Sequence, residues 1–432
     1  MILFFILSMF FLSAEEHFEV GEARFEGNKM YLTENVFWEQ PVGILRAKSA
    51  IATFDAQGKV PQEITMQEGV EVTLKEGGVL QSPYAWIRCQ QSLGIFHGHE
   101  GQKIAYKNAK EKLALKSLRM ELNFIPPKML LERILAEEDV EIEMEPNLFL
   151  SGHQAIFDQF SVKGIFGRAS LLSERGGRCQ LHQNENAIFC ARVELDLLKS
   201  TVTLFDSEGV LYKNKTPIPF KSAKVFLAKN EEELKLDPPV KIEWLGILET
   251  EGPVVITQKD HQLNSLFIEG TTQLLWEEHR LTVYDTTSIE PNLKTVMMTS
   301  RGKKQVHFSD PFGEIFADQM LLTYNEALKP VKLLLEGNVR LENHTMGALQ
   351  YALADEANFE FEKTTLTLTA KTRPRALFYD ELNKVQASAP GLIINRNPKN
   401  GQSVLRGMGN VRFIFAEDEL NELKKRFSFE PK

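Results

Sequence analysis

The sequence predicts an all-β protein: an antiparallel β-repeat folded as a roll, in two similar halves. Three observations carry this. The first is Leu335-Glu336-Gly337-Asn338-Val339-Arg340-Leu341, where two apolar strand runs meet at residues that tolerate positive φ, so a turn or bulge joins them. The pattern returns as Met408-Gly409-Asn410-Val411-Arg412-Phe413 and Gln67-Glu68-Gly69-Val70-Glu71-Val72, and more faintly as Glu137-Glu138-Asp139-Val140-Glu141-Ile142. The second is a period-two run that changes phase. Gly313, Ile315 and Ala317 alternate, then Met320, Leu322 and Tyr324 alternate in the opposite phase, and Gly43, Leu45, Ala47, Ala50, Ala52 and Phe54 repeat these offsets. Alternation means strand, and the slip at Asp318-Gln319 and Lys48-Ser49 means a bulge or corner. The third is spacing: 22 residues separate Ala47 from Gly69 and Ala387 from Gly409, and 20 separate Ala317 from Gly337. Self-similarity at a near-fixed period marks a repeat architecture.

In chain order, residues 1–14 (MILFFILSMFFLSA) come first. The apolar run from Ile2 to Leu12 is too short to span a bilayer and suits a signal peptide, although no Lys or Arg precedes it. A short uncleaved anchor is the alternative, and either reading puts the remainder outside the cytoplasm. Phe25-Glu26-Gly27-Asn28 is a further turn echo, and the first full cassette occupies 43–98. Residues 110–124 alternate until Pro126-Pro127. Leu130, Leu131, Ile134 and Leu135 have helical spacing, but their continuation into the repeat favours strand. Leu150, Gly152, Ala155 and Phe157 form a partial copy, and 195–205 is extended. Gly209, four prolines (Pro217, Pro219, Pro238, Pro239) and the run Asn230-Glu231-Glu232-Glu233 make 206–260 an expected irregular linker or excursion. The second repeat region, 261–415, is better preserved, with partial copies at Ala354, Ala357, Phe359, Phe361 and at Ala387, Pro390, Leu392, Ile394. In 416–432, Leu420, Leu423 and Phe427 share a helical face, and this tail is expected to cap the exposed edge of the last strand.

Of the 432 residues 43% are hydrophobic and 25% charged, which are globular values. A net charge of −9 argues against a nucleic-acid partner. Of the three cysteines, Cys179 and Cys190 bracket a short segment and could close a hairpin in an oxidising compartment; three reduced thiols are the alternative. No catalytic motif occurs, so no enzyme, cofactor or metal is expected. His97-Gly98-His99-Glu100 supplies two imidazoles without a third ligand and reads as a turn. Acidic residues alternate with apolar ones, as in Val140-Glu141-Ile142-Glu143-Met144, and so form the wet face of half-buried strands. What remains is the apolar face, on which Leu333, Leu335, Val339 and Leu341 point one way, as do Met320, Leu322 and Tyr324. In a closed fold such faces bury each other. In an open curved sheet they shelter an alkyl chain at about 0.8 kcal/mol per methylene.

The cassette Ala317-Asp318-Gln319-Met320-Leu321-Leu322-Thr323-Tyr324-Asn325, followed by Leu335-Glu336-Gly337-Asn338-Val339, resembles the repeat of OstA-like (LptA-like) periplasmic lipopolysaccharide-transport proteins. Ala354-Asp355-Glu356-Ala357-Asn358-Phe359 matches it again, and Ala47-Lys48-Ser49-Ala50 through Phe54-Asp55 matches without the Asp after the first Ala. The resemblance covers about 25–90 and 313–415. It implies OstA-like domains over 15–205 and 261–415, each an open V-shaped jelly roll whose interior holds acyl chains. Ile315, Ala317, Leu322, Tyr324, Leu333, Leu335, Val339, Leu341 and Phe359 would then contact lipopolysaccharide or another lipid. It further implies a periplasmic location, a role in outer-membrane biogenesis, and edge-strand pairing with other Lpt-type envelope proteins or with further copies of the chain. The chain is longer than a minimal bridge protein of that family, and its middle third is unlike the repeat. A secreted β-repeat structural protein or adhesin with a closed core is the competing expectation.

Overall fold

The computed structural model describes residues 17–40, 43–57, 61–75, 77–126, 130–144, 147–158, 167–183, 186–213, 215–228, 233–244, 246–259, 262–345, 348–381, 384–396 and 403–414. These form 37 strands, one 3-10 turn at Cys89–Gln91 and no α-helix among the described residues. The expected signal segment 1–14 and helical tail 416–432 lie outside the described residues.

At Gly337-Asn338 the recurring motif is a corner inside a long strand, whereas at Gly27-Asn28 it is the tight turn of a hairpin. In Pro330–Thr345, residues before the motif pair with Gln319–Tyr324 and residues after it pair with Gly313–Ala317. On the other side Ala348–Glu360 follows both halves, with the register breaking between Glu336 and Val339. The break consists of two successive left-handed residues, Gly337 (φ 75°) and Asn338 (φ 47°). Such a pair inserts extra backbone into the ladder, bends the strand and re-aims it. Pro61–Leu74 turns the same way at Glu68 and Gly69, and Leu130–Met144 at Glu138 and Asp139. Lys29–Gln40 does so at Glu34 and Asn35, a corner that carries no glycine and escapes the sequence pattern.

The phase slips fall on the same seam. Asp318 N–H donates to Gly337 O and Ser300 N–H to Asp318 O, both at 2.9 Å. In the N-terminal region Leu118 N–H donates to Glu138 O (2.9 Å) and Gly98 N–H to Leu118 O (2.8 Å), which is the same arrangement. Successive corners therefore stack, and the strands on either side form two leaves.

Two compact units result, 1–210 with 224–231 and 211–223 with 232–432. In both, apolar side chains on the inner face are buried at the corners. Strand Leu130–Met144 shows the alternation, with Val140, Ile142 and Met144 buried, Glu143 exposed, and Glu141 ion-paired to Lys103 at 2.8 Å. A sheet that is apolar on one face needs a cover, and each leaf covers the other. In the second unit a residual void of about 20 Å³ is lined by Leu274, Leu281 and Val283 from one leaf and by Ile289, Val296 and Met298 from the other.

The stretch 206–260 is not irregular in its described residues. It holds the end of Thr201–Lys213, then Thr216–Ala228, Glu233–Glu243, Ile247–Thr250 and Val254–Lys259. Its prolines suggest a break because proline removes a ladder donor. However, residues 233–236 pair with one strand and 240–243 with another, so Pro238 and Pro239 occupy the corner between two ladders. Burial of Ile218, Phe220, Leu234, Leu236, Val240 and Ile242 on alternate positions decides the conformation. The limits of the two units run through this stretch rather than around it.

Candidate functional site

The corner also explains the Ala-Asp pair of the cassettes. Ala317, Ala354, Ala376, Ala387 and Ala389 are fully buried, and such small side chains bring the leaves together at the seam. The following Asp holds the bend. Asp318 accepts from Asn338 Nδ2 (2.9 Å) and Gln305 Nε2 (3.1 Å). The cassette that lacks the Asp places Lys48 there, and its Nζ lies 2.6 Å from Glu68 Oε2 across the equivalent corner.

Asp355 is held most firmly. Its Oδ2 accepts the backbone N–H groups of Lys371, Thr372 and Arg373 at 2.6–2.7 Å, and its Oδ1 lies 3.2 Å from Arg373 Nε. Burial acts to raise its pKa, but the three backbone donors outweigh this and hold it at about 2. Because the folded value lies below the unfolded one, the carboxylate stabilises the fold above about pH 4. That contribution is lost as the pH falls toward 2. Asp355→Asn is expected to cost about 1–2 kcal/mol at neutral pH and to flatten the stability profile between pH 4 and 2. Urea midpoints measured at pH 7 and pH 3 check this.

Away from the seam, the two units differ. In the first, the inner-face residues Leu80, Leu115, Ile142 and Leu150 on one leaf and Leu122, Ile134 and Phe157 on the other are all 0% exposed. That unit is closed. In the C-terminal part of the second unit the inner face is buried near the corner, at Ala317, Met320, Leu335, Val339, Ala357 and Leu368, and again at Tyr324, Ala352 and Ile394. Farther out, Leu322, Leu333, Phe359 and Leu366 lie in register across one leaf and are half-buried. On the other leaf Phe308, Ile315 and Leu341 lie in register and are half-buried too. The leaves thus part into an apolar cleft with an aromatic rim. Trp276, His279 and Phe308 have ring centroids 5.2–5.9 Å apart, and Phe359 meets Phe361 edge-on at 4.6 Å.

Of the nine residues expected to contact lipid, Ile315, Leu322, Leu333, Leu341 and Phe359 line this cleft. Ala317, Leu335 and Val339 lie at its sealed end. Tyr324 is buried at the far end of Gln319–Tyr324; its hydroxyl lacks a hydrogen-bond partner and burial pushes its pKa up. Sequence reading missed Trp276, His279, Phe308 and Leu366. The signal was there as period-two alternation in Leu274 and Trp276 and in Val306 and Phe308, but no corner motif fixed its phase relative to the matched cassettes.

A second depression, about 730 Å³, lies on the outer face of the first unit and contains His97 and His99 with Trp86, Arg88, Arg119 and Glu121. Its polar groups are engaged with one another. Arg88 stacks 3.9 Å from the Trp86 ring centre, while Arg119 pairs with Glu121 and with Glu137 (2.9 Å). No group of three metal-ligating side chains occurs among the described residues. Neither protein-family models nor curated proteins give a match to the chain.

Proposed function

We propose that the protein is a non-enzymatic, exported lipid carrier or bridge component of the lipopolysaccharide-transport type, which shelters acyl chains in the open cleft of its second unit. The observation that carries this reading is the contrast between the units. Both leaves of the second unit leave long apolar side chains half-buried over their middle strands, whereas the equivalent rows of the first unit are sealed. A cleft of this kind suits a long, flexible hydrocarbon. The aromatic rim suits the boundary between acyl chain and polar headgroup, where amphipathic rings settle. The reading includes a periplasmic location and edge pairing with similar β-repeat proteins.

A photoreactive residue at Phe359 is expected to crosslink lipid in protein taken from its native envelope, and one at Leu115 in the sealed unit is not. Lipid captured at neither position, with none co-purifying by mass spectrometry, would overturn the proposal. The alternative, a closed structural or adhesive β-repeat protein, draws its support from the sealed core of the first unit. It expects no crosslink from either position.

A further inference from the structure

We propose that Cys179 and Cys190 join in a disulfide when the chain folds under oxidising conditions, and that Cys89 stays a free thiol. Three cysteines allow three pairings, and the fold selects one. Strands Cys179–Gln183 and Asn186–Cys190 are antiparallel neighbours, with Cys179 directly opposite Cys190. Directly opposed residues of an antiparallel pair have Cα atoms about 4.5 or 5.5 Å apart, depending on whether the site is hydrogen-bonded. A disulfide accepts Cα separations of about 4.4–6.8 Å. Either kind of site therefore lies within disulfide reach. Both side chains are 0% exposed. The Cys179 thiol makes weak contacts to Leu171 O (3.6 Å) and Ala191 O (3.9 Å), which the cross-link would give up at little cost.

Cys89 belongs to a different place. It lies in the turn that follows Gly78–Arg88. Between that strand and Cys179–Gln183 the ladder runs through Ile104–Asn108, Leu113–Ser117, Leu130–Met144 and Leu148–Asp158. At about 4.8 Å per strand this is far beyond disulfide reach. Burial also pushes the Cys89 thiol up to about 11, which leaves little thiolate to react.

The chemistry is exchange with a small disulfide donor such as oxidised glutathione. With Cys179 as the attacking thiolate, the exchange runs in two steps. The donor S–S bond breaks, one donor thiolate leaves, and a mixed disulfide forms on Cys179. Cys190 then gives up its proton and attacks the Cys179 sulfur, expelling the second donor thiolate. The protein loses two hydrogens and the donor is reduced to two thiols. Because neither sulfur is exposed once the hairpin has packed, the bond forms before packing, and the packed unit then shields it from reductant.

The test is refolding of the full chain in a glutathione redox buffer, followed by alkylation in denaturant and tryptic mapping without reduction. Cleavage after Arg178 and Arg192 places both cysteines on one peptide, residues 179–192. The expected result is that peptide unalkylated and lighter by two hydrogens, with Cys89 alkylated; a Cys89→Ser chain gives the same peptide. The closed hairpin should raise the folded-to-unfolded ratio of the first unit about 100-fold over the reduced protein. Alkylated Cys179 and Cys190, or any bond to Cys89, overturns the proposal. The outcome does not depend on whether the second unit carries lipid.

Discussion

Leu335→Asp is expected to unfold the second unit, whereas Phe359→Asp should leave it folded and remove lipid binding. The two residues belong to the same inner face, yet their surroundings differ. Leu335 is 2% exposed and sits between Met320 on one neighbouring strand and Ala357 on the other, both sealed at the seam. An aspartate there loses the leucine contacts, worth about 2–5 kcal/mol. It also places an unpaired carboxylate where no water reaches, at a further cost of several kcal/mol. The total approaches the whole stability of an ordinary domain, about 5–15 kcal/mol. Phe359 is half-buried at the open end of the same leaf, so a carboxylate there still reaches solvent. Folding should weaken by about 1–2 kcal/mol, while affinity for a long-chain lipid falls at least tenfold, the factor that corresponds to about 1.4 kcal/mol. Circular dichroism with a lipid titration separates the two variants. Equal loss of folding in both would show that the cleft is part of a closed core.

The second large effect is expected at the corners. Gly337 adopts φ 75°, and a Cβ built on it would meet Asp318 Oδ2 at 2.4 Å and Asp318 Cβ at 2.8 Å. Asp318 is not free to swing aside, because Asn338 and Gln305 both donate to its carboxylate. Gly337→Val therefore combines left-handed strain in a β-branched residue with a steric conflict and the loss of those bonds, together about 3–4 kcal/mol. Gly69 adopts a similar φ of 67°, but nothing lies within 4 Å of its hypothetical Cβ. Gly69→Ala should cost only the backbone penalty, about 1 kcal/mol. Denaturant midpoints for each unit test the difference. Similar losses at the two sites would show that backbone strain alone, without the Asp318 contact, sets the need for glycine.

Much of the architecture was legible because its corners carry a chemical signature. Gly337-Asn338, Glu68-Gly69 and Glu138-Asp139 reverse the pleat through residues that accept positive φ, and the alternation on either side shows which face is apolar. The corner at Glu34-Asn35 was not read, since its continuation Val36-Phe37-Trp38 lacks the apolar–charged alternation that follows the others. Pro238 and Pro239 misled for the opposite reason: a strand-breaking residue costs nothing where the ladder already breaks.

The sequence by itself determined that the chain is an antiparallel β-repeat, where several of its corners fall, and which side chains face inward, because backbone tolerance and period-two alternation are local properties. It could not determine whether an inward face is sealed or open. Leu335 and Leu333 are two residues apart on one strand, with the same side chain and the same orientation, yet one is buried at the seam and the other borders the cleft. Their difference depends on how far the opposite leaf lies from each position. That distance is set by alanines more than ten residues away in sequence, at Ala317, Ala354 and Ala376, and by strands that meet only in the tertiary fold. For the same reason the opposition of Cys179 and Cys190, suggested by their spacing, became specific only when strand register placed them face to face.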